Sequence, residues 1–181
     1  AMIHALDGDH PVAVGNWDLA GLVEYGKYAK EVDIFGANSY RGSFGFGDLW
    51  KKVKQEFNRP VLITEYGCDA YNSKREEEDQ AAQANYHRRA WADIEAHLAG
   101  GIGEGNAVGG IIFEFLDNWW KSPSGSFSIH DATPDAAMAF PDGWSSEEWF
   151  GLFSQGDGTQ SPFLRVPREV YFAYRDELWA E

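Results

Sequence analysis

The run Pro60-Val61-Leu62-Ile63-Thr64-Glu65 constrains the fold more than any other stretch of this sequence. It is apolar on both faces, as a parallel strand covered on both sides should be. Three further runs read as strands: Pro11-Val12-Ala13-Val14-Gly15, Asp33-Ile34-Phe35-Gly36-Ala37-Asn38 and Gly110-Ile111-Ile112-Phe113-Glu114-Phe115-Leu116. Amphipathic segments separate them. Behind Asp18, a potential cap, Leu19, Leu22, Val23, Ala29 and Val32 recur at helical spacing. Leu49, Trp50, Val53 and Phe57 make a second helical stripe. Ser73-Lys74-Arg75-Glu76 has the capping-box pattern and predicts a long helix with acidic residues 76–79 at its positive end, stopped by Gly100-Gly101. Pro167 suits the first turn of a last helix, with Val170, Tyr171, Tyr174 and Leu178 as its inner stripe. The order β-α-β-α-β-α-β-loop-α predicts an α/β fold built on a parallel sheet. Residues 120–162 lack periodicity and carry scattered Trp and Phe, which predicts a long ordered loop of functional type.

Composition narrows the function. The chain has 181 residues, a length that predicts one domain, or one and a small extra. Its 29 acidic and 15 basic residues give a net charge of −14. That argues against a nucleic-acid partner, which selects clustered Lys and Arg, and against an anionic membrane surface. No apolar run reaches the length of a membrane span, and no charged-then-apolar signal segment opens the chain. One cysteine, Cys68, leaves no internal disulfide framework or cysteine-rich zinc site. The histidines at 4, 10, 87, 97 and 130 lack close metal-ligand spacing, so no metal is expected. The 8 Trp, 8 Tyr and 12 Phe suit core, interface, or a platform for an amphipathic ligand such as a sugar.

In parallel α/β folds, function collects at the carboxyl ends of strands. Those ends hold Asn16 and Trp17; Asn38, Ser39 and Tyr40; Glu65 and Tyr66; and Asp117, Asn118, Trp119 and Trp120. Amides and carboxylates bond hydroxyls, and aromatic faces stack on a pyranose, so the set suits sugar recognition. Glu65 stands out because a Glu closing an apolar strand is costly if buried unpaired. The alternative is a surface Glu paired with a loop arginine such as Arg41.

These residues resemble a family. Ile63-Thr64-Glu65-Tyr66-Gly67-Cys68-Asp69-Ala70 is similar to the nucleophile strand of glycoside hydrolase family 2, in the clan of (β/α)8 retaining glycosidases. Asp33-Ile34-Phe35-Gly36-Ala37-Asn38-Ser39-Tyr40 resembles the preceding strand, and Gly109-Gly110-Ile111-Ile112-Phe113-Glu114-Phe115-Leu116-Asp117 resembles the last one. Arg165-Val166-Pro167-Arg168-Glu169-Val170-Tyr171 is similar to the closing segment. The four agree in order and spacing across nearly the whole chain. The resemblance implies that residues 1–181 form the C-terminal half, strands five to eight, of a TIM barrel, a fold that typically takes about 250 residues. It implies a retaining β-glycosidase with Glu65 as nucleophile, Tyr40 and Asn38 as its positioning partners, and a β-linked oligosaccharide or polysaccharide as substrate. Trp17, Phe115, Asp117, Trp119 and Trp120 would shape the sugar site. Phe115 stands where the family commonly has Trp, and no cofactor is implied.

The Asn-Glu pair of the family's fourth strand, whose Glu is the general acid/base, has no match in this sequence. A retaining mechanism needs two carboxyls about 5–5.5 Å apart. Negligible turnover of unactivated β-glycosides by this chain alone is therefore expected, as is association with a missing half barrel or a second copy that covers open edges. A non-catalytic half barrel that binds carbohydrate or serves as a structural module is the competing reading. A glycosidase of another family in the same clan is a third.

Overall fold

Each of the first three apolar runs folds into a strand within two residues of its expected position. The computed structural model describes residues 2–121, 130–156 and 164–180. Its elements are α1 (Met2–Leu6), β1 (Ala13–Trp17), α2 (Leu22–Tyr28), β2 (Ile34–Asn38), α3 (Leu49–Glu56), β3 (Val61–Tyr66), β4 (Tyr71–Asn72), β5 (Glu77–Glu78) and α4 (Gln80–Ala96). There follow β6 (Ala107–Ile112), β7 (Ala136–Ala137), β8 (Trp144–Ser145), β9 (Phe153–Ser154), β10 (Val166–Pro167) and α5 (Glu169–Ala173). The described residues divide into two compact units. The first comprises Ala1–Ser39, Gly45–Tyr66 and Ala92–Ile111; the second comprises Tyr40–Phe44, Gly67–Trp91 and Ile112–Glu181.

The first unit is built on a four-stranded parallel sheet in the order β1-β2-β3-β6. Phe35, Ala37, Val61 and Ile63 are fully buried on one face of it. Leu49, Trp50 and Val53 of α3 are buried too, each large side chain of this kind contributing about 1.5–3 kcal/mol. The packing is close at Gly26, where a Cβ would lie 2.2 Å from the Glu56 carbonyl oxygen, so only glycine lets α2 pass the end of α3. The other face is less covered than its apolar composition predicts: Leu62, Thr64 and Glu65 are only half-buried. Gly15 and Gly36 lie beside Thr64 on that face, and at Gly36 a Cβ would come within 2.9 Å of the Thr64 methyl, so the close approach needs glycine.

The second unit is assembled from three short antiparallel ribbons, β4 with β5, β7 with β8, and β9 with β10. The segment at 120–162, expected as one loop, contains β7, β8, β9 and helical turns at Trp119–Lys121 and Glu147–Trp149. Its parts at 122–129 and 157–162 lie outside the described residues.

Several expected boundaries are corrected by long-range bonds. The capping-box segment does not start a helix: Tyr71–Glu78 forms the β4–β5 hairpin, because the buried Asp142 carboxylate accepts the Ser73 N–H at 2.7 Å. Asp79 caps α4 instead, accepting the Ala82 N–H at 3.1 Å. Asp18 adopts a left-handed conformation (φ 47°) and accepts the Ser39 hydroxyl at 2.8 Å, so α2 starts only at Leu22. The fourth strand of the sheet, β6, begins three residues before its expected apolar run and ends four residues short of the run's end. Pro167 pairs with Phe153 at the end of β10, and α5 begins behind it at Glu169. No described helix is long and apolar enough to cross a membrane.

Candidate active site

Three of the expected site residues meet on the first unit's sheet. The parallel register aligns Trp17 of β1 with Asn38 of β2, and Asn38 with Glu65 of β3. Trp17 and Asn38 close their strands at the carboxyl end, and Glu65 is the last residue but one of β3. Backbone bonds fix the row: the Asp18 N–H donates to the Asn38 carbonyl, and the Ser39 N–H donates to the Glu65 carbonyl, both at 2.9 Å. The register shifts between Ala37 and Asn38, a bulge that breaks the alternation of β3. Thr64 and Glu65 are consecutive half-buried residues, and Tyr66 returns to the buried face. Bulges re-aim side chains in this way. The Thr64 hydroxyl donates to Asn38 Oδ1 at 2.7 Å, fixing that carboxamide. Trp17 is 63% exposed, an open ring at the edge of the row.

The remaining expected residues belong to the second unit. Tyr40 sits edge-on to Phe113, Phe140 and Phe150, with ring centroids 6.5, 6.2 and 6.1 Å away. Phe115 and Trp120 are 64% and 62% exposed and remain available as surfaces. Phe115 leans on Phe153, and Trp120 donates its indole N–H to Asn118 Oδ1 at 2.8 Å.

Two expectations are corrected. Asp117 is not a sugar ligand: it is 1% exposed, and both its oxygens are held by Arg168, at 2.5 and 2.8 Å. His130 Nε2 lies 3.0 Å from the same carboxylate, and the Gly151 N–H donates to it at 2.9 Å. Trp119 is 6% exposed and packs edge-on to His130, so it anchors the segment from within.

Sequence reasoning missed a polar group beside these rings. Asn118 donates to one oxygen of Glu114, and Lys121 pairs with Glu147. Burial pushes the Glu114 carboxyl up to about 7, despite the opposing pull of Lys121 and Asn118. Its sequence signal is the i, i+4 spacing of Glu114 and Asn118. Cys68 is fully buried, and burial first, then Asp69, raises its thiol well above the usual range, so it is no nucleophile. His87 is also buried, 3.0 Å from the Tyr174 hydroxyl; burial lowers it to about 3 and keeps it neutral.

Asp69 carries a testable pH signature. Burial, helped by Asp142, raises its carboxyl to about 8, against bonds from the Ser146 and Tyr71 N–H groups. The folded state therefore holds a proton that the unfolded chain releases above its ordinary 3.8, so stability falls as pH rises to about 8. His87 has the opposite sign, but its contribution is constant above 6.5. Thermal melting should accordingly drop between pH 6.5 and 8, and Asp69→Asn should flatten most of that slope. Glu114 adds a smaller slope of the same sign below about 7. An unchanged slope in Asp69→Asn contradicts the assignment.

The fold has solved counterparts. It is similar to a β-D-glucuronidase from Dictyoglomus thermophilum, with a TM-score of 0.60 and 16% identity over 98% of this chain and 27% of that one. A β-glucuronidase from an uncultured Clostridium matches at a TM-score of 0.54 and 19% identity, over 98% of this chain and 27% of that one. A β-glycosidase matches at 0.52 and 17%, over 93% of this chain and 42% of that one. The fold is one shared with β-glycosidases. This chain spans 27% of the length of the two glucuronidases. No family model and no curated protein matches the sequence.

Proposed function

We propose that this chain is part of the catalytic barrel of a retaining β-glycosidase, strands five to eight in the manner of family 2, and that Glu65 is its nucleophile. One observation carries the proposal. Trp17, Asn38 and Glu65 stand in register at the carboxyl ends of adjacent strands, in a fold shared with β-glycosidases. That end is where such sheets do their chemistry. The Glu65 carboxylate attacks the anomeric carbon as the glycosidic C–O bond breaks, giving a glycosyl ester. Water then cleaves the ester, and the two displacements together retain configuration. Asn38 is the positioning residue, and Trp17 offers a stacking surface for a β-linked substrate. No cofactor takes part in this mechanism.

General acid help is typically worth about 10²–10⁴-fold, and the acid/base position of the resembled family has no match here. The sequence therefore predicts dependence on the leaving group. The chain should release 2,4-dinitrophenol, which leaves without a proton, from its β-glucoside or β-glucuronide, while methyl β-glycosides stay intact. Turnover of a methyl β-glycoside at a comparable rate contradicts the proposal, as does failure to turn over any dinitrophenyl β-glycoside.

Among the described residues, the sheet edges β1 and β6 have one strand neighbour each, and Val108 and Ile111 of β6 are half-exposed. Such an edge is a template for pairing. Light scattering behind size exclusion should therefore show a dimer or larger species. A monodisperse monomer at micromolar concentration contradicts the pairing.

A further inference from the structure

We propose that a groove of about 540 Å³ within the second unit, lined by Tyr71, Ser73, Glu76, Ala132, Pro134 and Trp144, is a binding site for a neutral pyranoside. Its volume is that of a small-molecule site, for which about 300–1,000 Å³ is usual. Its lining combines two aromatic rings, a hydroxyl and one carboxylate. Rings cover the C–H face of a pyranose, and oxygen groups bond its hydroxyls.

The groove is built rather than incidental. Tyr71 belongs to β4 and Trp144 to β8, so two separate ribbons supply the rings. A single buried carboxylate ties the two walls together. Asp142 is 6% exposed; its Oδ2 accepts the Ser73 N–H at 2.7 Å and its Oδ1 accepts the Trp144 N–H at 2.9 Å. Asp69 braces the next residues of the same wall by accepting the Ser146 N–H at 2.7 Å. From behind, Trp149 holds the Tyr71 ring with centroids 4.9 Å apart. Trp144 keeps 40% of its surface exposed, and the Ser73 hydroxyl is buried with no hydrogen-bond partner among the described residues. Rings held in place before binding lose little freedom when a ligand arrives.

Charge selects the sugar. Glu76 is the one charged residue among those lining the groove, and its backbone is held in the left-handed region at φ 55°. Its neighbour Lys74 is close to Gly143 on the β7–β8 hairpin and is not part of the lining. A carboxylate accepts bonds from sugar hydroxyls but repels the carboxylate of a uronic acid. The groove therefore takes a glucoside in preference to a glucuronide.

The inference is independent of hydrolysis and is tested by titrating the whole chain with cellobiose. In a ¹⁵N spectrum, cellobiose should shift the indole N–H peak that Trp144→Ala removes, with saturation in the millimolar range. Trp144→Ala should weaken binding about tenfold, with Trp144→Phe between it and the parent. Methyl β-D-glucuronide should bind several-fold more weakly than methyl β-D-glucoside, and Glu76→Gln should close that gap. Glu65→Gln should leave the cellobiose-induced shift of the Trp144 indole peak unchanged. Absence of saturable binding overturns the inference, as does a preference for glucoside that survives Glu76→Gln. Binding that persists in Trp144→Ala but is lost in Glu65→Gln also overturns it, while leaving the hydrolase reading standing. Saturable binding at Trp144 without turnover of any dinitrophenyl glycoside has the reverse meaning.

Discussion

Arg168→Ala should lower the unfolding free energy by about 3–5 kcal/mol, the cost of stranding a buried charge. Arg168 is fully buried and grips both oxygens of Asp117, while its Nε donates to Glu78 at 2.6 Å. The guanidinium also donates to the Gly151 carbonyl at 2.8 Å, and the Gly151 N–H returns a bond to Asp117. Among the described residues, removing the fork leaves the carboxylate with the His130 ring and the Gly151 amide as partners. Asp117→Ala should cost a similar amount, and the double variant clearly less than the sum of the two. Urea denaturation of the three variants supplies the cycle. A loss below about 1 kcal/mol in Arg168→Ala would contradict the reading of Asp117 as a structural anchor.

The second large effect is chemical. Glu65→Ala should reduce release of dinitrophenol by roughly 10⁴-fold or more, as loss of a nucleophile does in other covalent catalysts. Glu65 is half-buried at a strand end, and the variant should melt near the parent temperature. Sodium azide should restore part of the rate by attacking the anomeric carbon in the vacated space. One displacement replaces two, so a β-glycoside should yield the α-glycosyl azide. Undiminished turnover in Glu65→Ala, or an azide product of β configuration, argues against a nucleophilic Glu65.

The strands and their ends were legible because their signal is local. Apolar runs at 11–15, 33–38 and 60–65 declare themselves without reference to the rest of the chain, and the register that aligns Trp17, Asn38 and Glu65 follows once those runs lie parallel. What stayed hidden depends on partners far away in sequence. Ser73-Lys74-Arg75-Glu76 reads as a capping box until Asp142, 69 residues on, takes the Ser73 N–H. Asp117 reads as a strand-end ligand until Arg168, 51 residues on, closes around it. The bulge that sets Thr64 and Glu65 on one half-buried stretch leaves no mark in an otherwise regular apolar pattern. The groove between Tyr71 and Trp144 is equally invisible, since its two rings come from ribbons of two residues each.

Covalent capture tests the central claim most directly. A 2,4-dinitrophenyl 2-deoxy-2-fluoro-β-glycoside carries a leaving group that needs no acid and a fluorine that slows hydrolysis of the glycosyl ester. Incubation with the glucoside and the glucuronide, followed by intact mass and peptide mapping, should find one fluorosugar per chain on the peptide containing Glu65. The label should be absent from Glu65→Gln. A label on any other carboxylate, or none with either sugar, contradicts the assignment of Glu65 as the nucleophile.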